Sequence, residues 1–375
     1  MKSVHTTLAR IGDICSAQTS SIKQKDLVPV AEGGCPVFGA SGFICNIASF
    51  KQEQPCIGLV KDGAGVGRVM PLPARSSIIG TMLYVIPGVE LENAYLYYLL
   101  TSLHLDELHS GATIPHVYFK DFKDKTVPLS PLPVQRRIAA ELDKIVAAKR
   151  QAECVLAKFD TLVKAKFVEM FGDVGRNAKS WPMVPLSKVV NKIGNGKSFV
   201  CESYPREGDW PAILKLSAAT WGVYKPEENK ALKPGSQFCP ECEVKAGDLL
   251  FTRKNTIDLV GMCAYVWQTP PKLMLPDLIF RLETNGDVER VFLAALVNCD
   301  LFRANVRALA NGSAGSMPNI SKMRLMKLEV PLPPLALQQQ FAEFVKRTDA
   351  AKATARKLVD KLDMLYRAKL QEYFA

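Results

Sequence analysis

The chain has 375 residues, 48% of them hydrophobic and 23% charged, with a formal charge of +11. These are values of an ordinary globular protein of two or three domains, which exclude wholesale disorder and fibrous repeats, while the positive excess invites a polyanionic partner without naming one. No run approaches 18 uninterrupted apolar residues and the N-terminus has no apolar core, so neither a transmembrane helix nor a secretory signal is expected, and the ten cysteines read as reduced thiols of a cytoplasmic protein.

A first head is expected over residues 1–133. It opens on Leu8-Ala-Arg-Ile-Gly-Asp-Ile, continues through a strand-like run, CIGLVKDGAGVGRVM (56–70), and a β-rich Leu83-Tyr-Val-Ile, and carries a short helix over 92–103. The glycines of Asp62–Gly67 resemble a nucleotide-binding turn, but Pro71 and Pro73 follow where a helix should open, so a β-turn is the better reading. A long helix is expected over 134–171. Its apolar or small residues, Ile138, Leu142, Ile145, Ala152, Leu156, Phe159, Val163 and Met170, keep a heptad seam, and no Gly or Pro interrupts it. Gly172 is placed as its C-cap.

A second head is expected over 172–334, with an opening Leu186-Ser-Lys-Val-Val-Asn-Lys-Ile, a strand and turn in GDLLFTRKNTIDLVGMCAYV (247–266), a β-rich Leu278–Leu282 and a helix over 288–307. A second long helix, 335–375, repeats the seam at Phe341, Val345, Ala355, Val359, Leu362, Tyr366 and Tyr373.

The two halves are copies. Shifting the chain by 203 positions lays 115–171 over 318–374 without a gap, with 19 identities in 57 pairs, among them VPLSPL over VPLPPL and Gln135 over Gln338. Two helices of equal length and register are expected to pair. If a pseudo-twofold axis relates the halves they run antiparallel, with 366–374 near 135–142. Each would be a rod of roughly 55 Å. The fold class expected is α+β: two mixed heads, each followed by a long helix, the helices forming an antiparallel coiled coil.

No catalytic constellation emerges. There is no GxSxG, no Walker loop, and no Asn/Asp-Pro-Pro-aromatic tetrapeptide of an amino-methyltransferase. Pro276-Asp277 with Glu283 lacks the Glu-x-Lys of a restriction nuclease, and His104 and His109 are wrongly spaced for metal ligands on one helix face. Cys239-Pro-Glu-Cys242 has zinc-knuckle spacing but no second ligand pair, leaving two thiols in a loop.

The blocks GATIPHVYFKDFKDKTVPLSPLPVQRRIA (111–139) and GSAGSMPNISKMRLMKLEVPLPPLALQQQFA (312–342) resemble those of the specificity subunits of type I restriction–modification systems, where a Gly-x-x-x-Pro-x-Ile segment leads through a strand and a proline run to Glu-Gln and a long helix. Both blocks lack the Glu before Gln. The resemblance covers the whole order of head, rod, head, rod. It implies a non-catalytic DNA-recognition subunit whose two target-recognition domains each read one half of a bipartite site in double-stranded DNA, with the rods setting the gap. It also implies docking of two modification subunits that carry S-adenosylmethionine, and of restriction subunits that use ATP and Mg²⁺; this chain itself would bind no cofactor or metal. The alternatives are a self-dimerising DNA-binding protein of another defence system and a catalytic DNA methyltransferase or nuclease.

Arg, Lys, Asn and Gln at turn tips are the residue types that read base edges or hold phosphates. In the second head Arg253, Lys254, Asn255 and Thr256 form such a junction, whose alternative is a solvated turn; Lys197, Ser198 and Lys215 lie in early loops. In the first head the candidates are Lys61, Arg68 and His116. Asn311, Ser313 and Asn319 could contact phosphate or cap local backbone. The first head is neutral by residue count, the second carries +5 and each long helix +3, so DNA contact by the first head must come from charge placement.

Overall fold

The computed structural model describes residues 6–111, 115–311 and 317–375. The chain divides into two compact units, Met1–Val155 with Ala355–Ala375, and Leu156–Thr354. The long helices Leu132–Phe171 and Leu335–Phe374 each pass from one unit into the other. The first begins two residues earlier than expected, because Pro133 is tolerated in a first turn whose N–H groups have no intrahelical acceptor.

In the first unit a short strand, Thr7–Arg10, pairs antiparallel with Thr126–Leu129 and so ties the start of the head to the segment that leads into the helix. A four-stranded antiparallel sheet follows in the order Cys15–Thr19, Met82–Pro87, Cys56–Val60, Val69–Leu72. Its inner strand Cys56–Val60 is buried throughout, which is why CIGLV shows no polar alternation. The glycine run Gly63–Gly67 is the connection from that strand to Val69–Leu72, and all three of its glycines have positive φ. At Gly67 a Cβ would stand 2.2 Å from the backbone nitrogen of Asp106, so only glycine lets the 3₁₀ turn Leu105–Leu108 pack against this turn.

Helix Asn93–Ser102 covers the sheet, and its Tyr95, Leu96, Leu99 and Leu100 share one core with Ile138, Ala139 and Leu142 of the first long helix and Phe374 of the second. The two long helices run antiparallel here: Glu141 pairs with Lys369 at 3.2 Å and Lys149 with Asp363. Burying Leu142, which is fully enclosed, is worth on the order of 1.5–3 kcal/mol. The Lys149–Asp363 pair keeps about a third of each side chain exposed and adds at most about 1 kcal/mol. Packing therefore holds the helices together, and the ion pairs select register.

The second unit repeats this order. Met183–Pro185 pairs with Glu329–Pro331, and the four-stranded sheet runs Val190–Asn195, Ile279–Thr284, Leu249–Thr252, Cys263–Tyr265. Each head also has a three-stranded sheet that mixes an antiparallel with a parallel pairing, Val37–Phe38 beside Ser77–Ile78 in the first and Ala212–Ile213 beside Leu273–Met274 in the second. Neither head is a doubly wound parallel sheet. Phe167 and Phe171 of the first long helix, Phe341 of the second and Phe292 of the head form one aromatic cluster with ring centroids 4.7–5.9 Å apart. Asp160 pairs with Lys352, so the helices are antiparallel in this unit also.

The first long helix ends as the sequence indicates. Gly172 has φ +76° and its N–H returns to Val168 O at 2.8 Å, while Lys179 Nζ and Trp181 Nε1 donate to the last carbonyls, of Glu169, Met170 and Phe171. One element differs from expectation: the helix expected over 288–307 is two, Arg290–Asn298 and Arg303–Arg307. The Asn298 side chain accepts Cys263 N–H at 2.8 Å and donates to Cys263 O at 2.7 Å, acting as one more strand partner, and the backbone leaves helical geometry at Cys299.

Candidate nucleic-acid interface

In the second head, strand Leu249–Thr252 delivers Arg253 and Lys254 to its end. Arg253 O accepts Ile320 N–H at 2.8 Å, and Lys254 forms a bridge with Asn319. Asn319 also exchanges both backbone hydrogen bonds with Asn311. The side chains follow: Arg253 Nε donates to Asn319 Oδ1 at 3.1 Å, and Arg324 Nη1 donates to Asn311 Oδ1 at 2.6 Å. Arg253 and Lys322 lie 5.2 and 5.8 Å from the centroid of the buried Phe280 ring, which orients both cations without neutralising them.

The first head builds the same junction. Lys61 follows strand Cys56–Val60, and its carbonyl accepts Val117 N–H at 2.9 Å, as Arg253 O accepts from Ile320. Val117 and Ile320 are 203 residues apart, as are His116 and Asn319. Asp62 bridges to His116, and His116 bridges to Ser110. Asp62 is gripped from both sides, by Lys61 Nζ at 2.7 Å and His116 Nδ1 at 2.8 Å. Burial pushes the Asp62 carboxyl up, but these hydrogen bonds and charges outweigh it and hold it below the usual carboxylate range. His116 stacks on the exposed Tyr118, over which Lys120 also lies.

The sequence candidates thus separate. Lys61 with His116, and Arg253 and Lys254 with Asn311 and Asn319, come together at equivalent places of the two heads. Arg68 is exposed across the turn, with its guanidinium on Ala40 O at 3.2 Å. Asn255 is buried, donating to Thr220 Oγ1 at 3.2 Å and to no surface; Thr256 is exposed. Ser198 and Lys215 line a cleft of about 450 Å³ with Lys230, Asp277 and Leu278, and Leu278 O accepts the backbone N–H of Arg253. Lys197 stands apart, bound to Glu241 at 2.6 Å. Ser313 lies outside the described residues.

Sequence reading missed Lys322, Arg324 and Tyr118. Each follows closely after His116 or Asn319 within the duplicated block, so the duplication itself was the usable signal. Among the described residues no group of three or more His, Cys, Asp or Glu is placed to hold a metal ion, and no helix is long and apolar enough to cross a membrane.

A duplicated head with a long helix after each copy, and the same basic junction in both heads, defines a class of two-headed recognition proteins. The type I restriction modification DNA specificity domain family matches residues 6–153 and 179–363, most of the chain, and the chain belongs to that family. It is similar to the specificity subunit of type I restriction enzyme EcoEI of Escherichia coli, 30% identical over 161 residues, 42% of this chain and 27% of that protein. It is also similar to the MjaVIII specificity subunit of Methanocaldococcus jannaschii, 24% identical over 319 residues, 78% of this chain and 71% of that protein. The matched region thus spans about a quarter of the EcoEI subunit's length. Among solved structures, the type I S subunit from M. genitalium shares the fold, with a TM-score of 0.64 at 15% identity over 100% of this chain and 97% of that one.

Proposed function

We propose that the chain is the non-catalytic DNA-reading subunit of a cytoplasmic type I restriction–modification complex, each head reading one half of a bipartite site in double-stranded DNA. The observation that carries this reading is the repeated junction, Lys61 with His116 in one head and Arg253 with Asn319 in the other. Each lies at the end of an inner strand, where a cation and a hydrogen-bonding partner stand side by side. Arg and Asn are the side chains that make paired contacts to guanine and adenine edges, and Lys and His serve phosphates. The paired helices set the gap between half-sites and dock two modification subunits, which bring S-adenosylmethionine; restriction subunits bring ATP and Mg²⁺.

The test uses the assembled complex and methylome sequencing. Arg253→Ala is expected to relax one half-site by about 1–3 kcal/mol of discrimination, whereas Lys61→Ala, which removes a phosphate contact, should weaken binding about equally across sequences and lower its salt dependence without changing the half-site letters. Equal loss at both half-sites from Arg253→Ala overturns the assignment of one head to one half. Co-expression with the modification subunit should yield about one copy of this chain for two of the partner. Methyl transfer by the isolated chain with S-adenosylmethionine would show it to be an enzyme.

A further inference from the structure

No residue of the Cys239-Pro-Glu-Cys242 motif belongs to the Arg253–Asn319 junction, and its surroundings are specific. The short turn Pro240–Cys242 brings the two Sγ atoms within 3.2 Å of each other. They sit in a small cluster with Phe199, Cys201, Leu232, Phe238 and Met274, and the Cys239 N–H donates to Met274 Sδ at 3.3 Å. Cys242 is 1% exposed, while Cys239 is 9% exposed and lies at the edge. There Lys197 Nζ donates to Cys239 Sγ at 3.3 Å and to Glu241 Oε1 at 2.6 Å. Two sulfurs in contact, one at the edge beside an ammonium group and one enclosed, are the parts of a thiol–disulfide site.

We propose that Cys239 and Cys242 are a peroxide-reactive dithiol that closes to an intramolecular disulfide. The Cys239 thiolate attacks one oxygen of hydrogen peroxide: an S–O bond forms, the O–O bond breaks, and the departing hydroxide takes up the proton the thiol has lost, leaving as water. The Cys242 sulfur then attacks the resulting sulfenic acid: the S–S bond forms, the S–O bond breaks, and hydroxide leaves with the Cys242 proton as a second water. Two thiols are oxidised to one disulfide and one peroxide is reduced to two waters.

The order follows from placement, because the edge sulfur faces the oxidant and Lys197. Cys242 is the resolving partner, its thiol pushed up to about 11 by burial and by the neighbouring Cys239. Lys197 acts through Cys239 and is a positioning residue. None of this depends on the DNA-reading assignment.

The experiment treats the reduced full chain with hydrogen peroxide, alkylates the remaining thiols and maps the peptides. Residues 231–245 form a tryptic peptide that holds these two cysteines and no other, and the exposed Cys154 is the internal reference. The peptide should lose both alkylatable thiols and two hydrogens, about tenfold faster than Cys154 oxidises, and dithiothreitol should restore it. Cys242→Ser should let dimedone trap a sulfenic acid at Cys239. Lys197→Gln should slow closure several-fold, and Lys197→Arg should retain it. Full alkylation of Cys239 and Cys242 once Cys154 is oxidised overturns the proposal, as does a disulfide from either of them to a third cysteine.

Discussion

The fully buried side chain of Gln338 accepts the backbone N–H of Glu289 on its Oε1 at 2.9 Å, and its Nε2 donates to Pro333 O at 2.7 Å. One long-helix residue thereby satisfies an orphan donor where the head's own helix begins. Gln135 does the same for Glu92 at 2.8 Å and Ser130 at 2.7 Å, and adds a bond to Glu90 O. The glutamine retained by the duplication is thus a clamp between head and helix, repeated in each unit.

Replacing either glutamine by alanine should cost about 1–3 kcal/mol, because it leaves a partly buried N–H and a buried carbonyl without partners. Denaturant titration of Gln135→Ala and Gln338→Ala measures this. A loss below a few tenths of a kcal/mol would mean that water replaces the clamp.

Packing and ion pairing contribute unequally to helix pairing. Phe171→Ala removes a fully buried ring that packs on both Phe292 and Phe341, and should cost about 3–5 kcal/mol. Lys149→Ala should cost less than about 1 kcal/mol, since its pair with Asp363 is partly solvated. Comparison of the two unfolding midpoints checks the ranking.

Acid should selectively weaken the first head's junction. Asp62 is held below its ordinary value of 3.8, so its contribution is present above that pH and is lost as pH falls through the still lower folded value. Asp62→Asn should therefore be less stable than the wild type near pH 7, and the difference should shrink below about pH 4. A gap that stays constant from pH 7 to pH 3 would locate the stabilisation elsewhere.

Gap length should change in heptad steps. The helices are antiparallel, so removing seven residues from 138–170 alone would leave the Glu141–Lys369 and Asp160–Lys352 pairs in incompatible registers. A heptad removed from 138–170 together with its match in the second helix should shift the recognised gap without altering the half-site letters. Methylome sequencing of the variant complex checks both; changed letters with an unchanged gap contradict the helices' role as spacer.

The amino-acid sequence by itself determined the duplication, the two long helices, their seam and the end of the first at Gly172, because periodicity and capping are local signals that survive in one dimension. It also indicated that 366–374 returns to 135–142, where Tyr373 meets Glu141 at 2.8 Å and Phe374 packs on Tyr95. Only the tertiary structure decided that the two heads share a strand order, since their loops show no common pattern. It also decided that Lys61 and Arg253 occupy one position, that Asn255 turns inward while its neighbours do not, and that Lys322 and Arg324 join the junction. The shared position of Lys61 and Arg253 depends on hydrogen bonds between residues some 55 to 70 positions apart, and the placement of Asn255 and Arg324 on bonds to Thr220 and Asn311; strand pairing and loop contacts bring these residues together, and no local propensity encodes them.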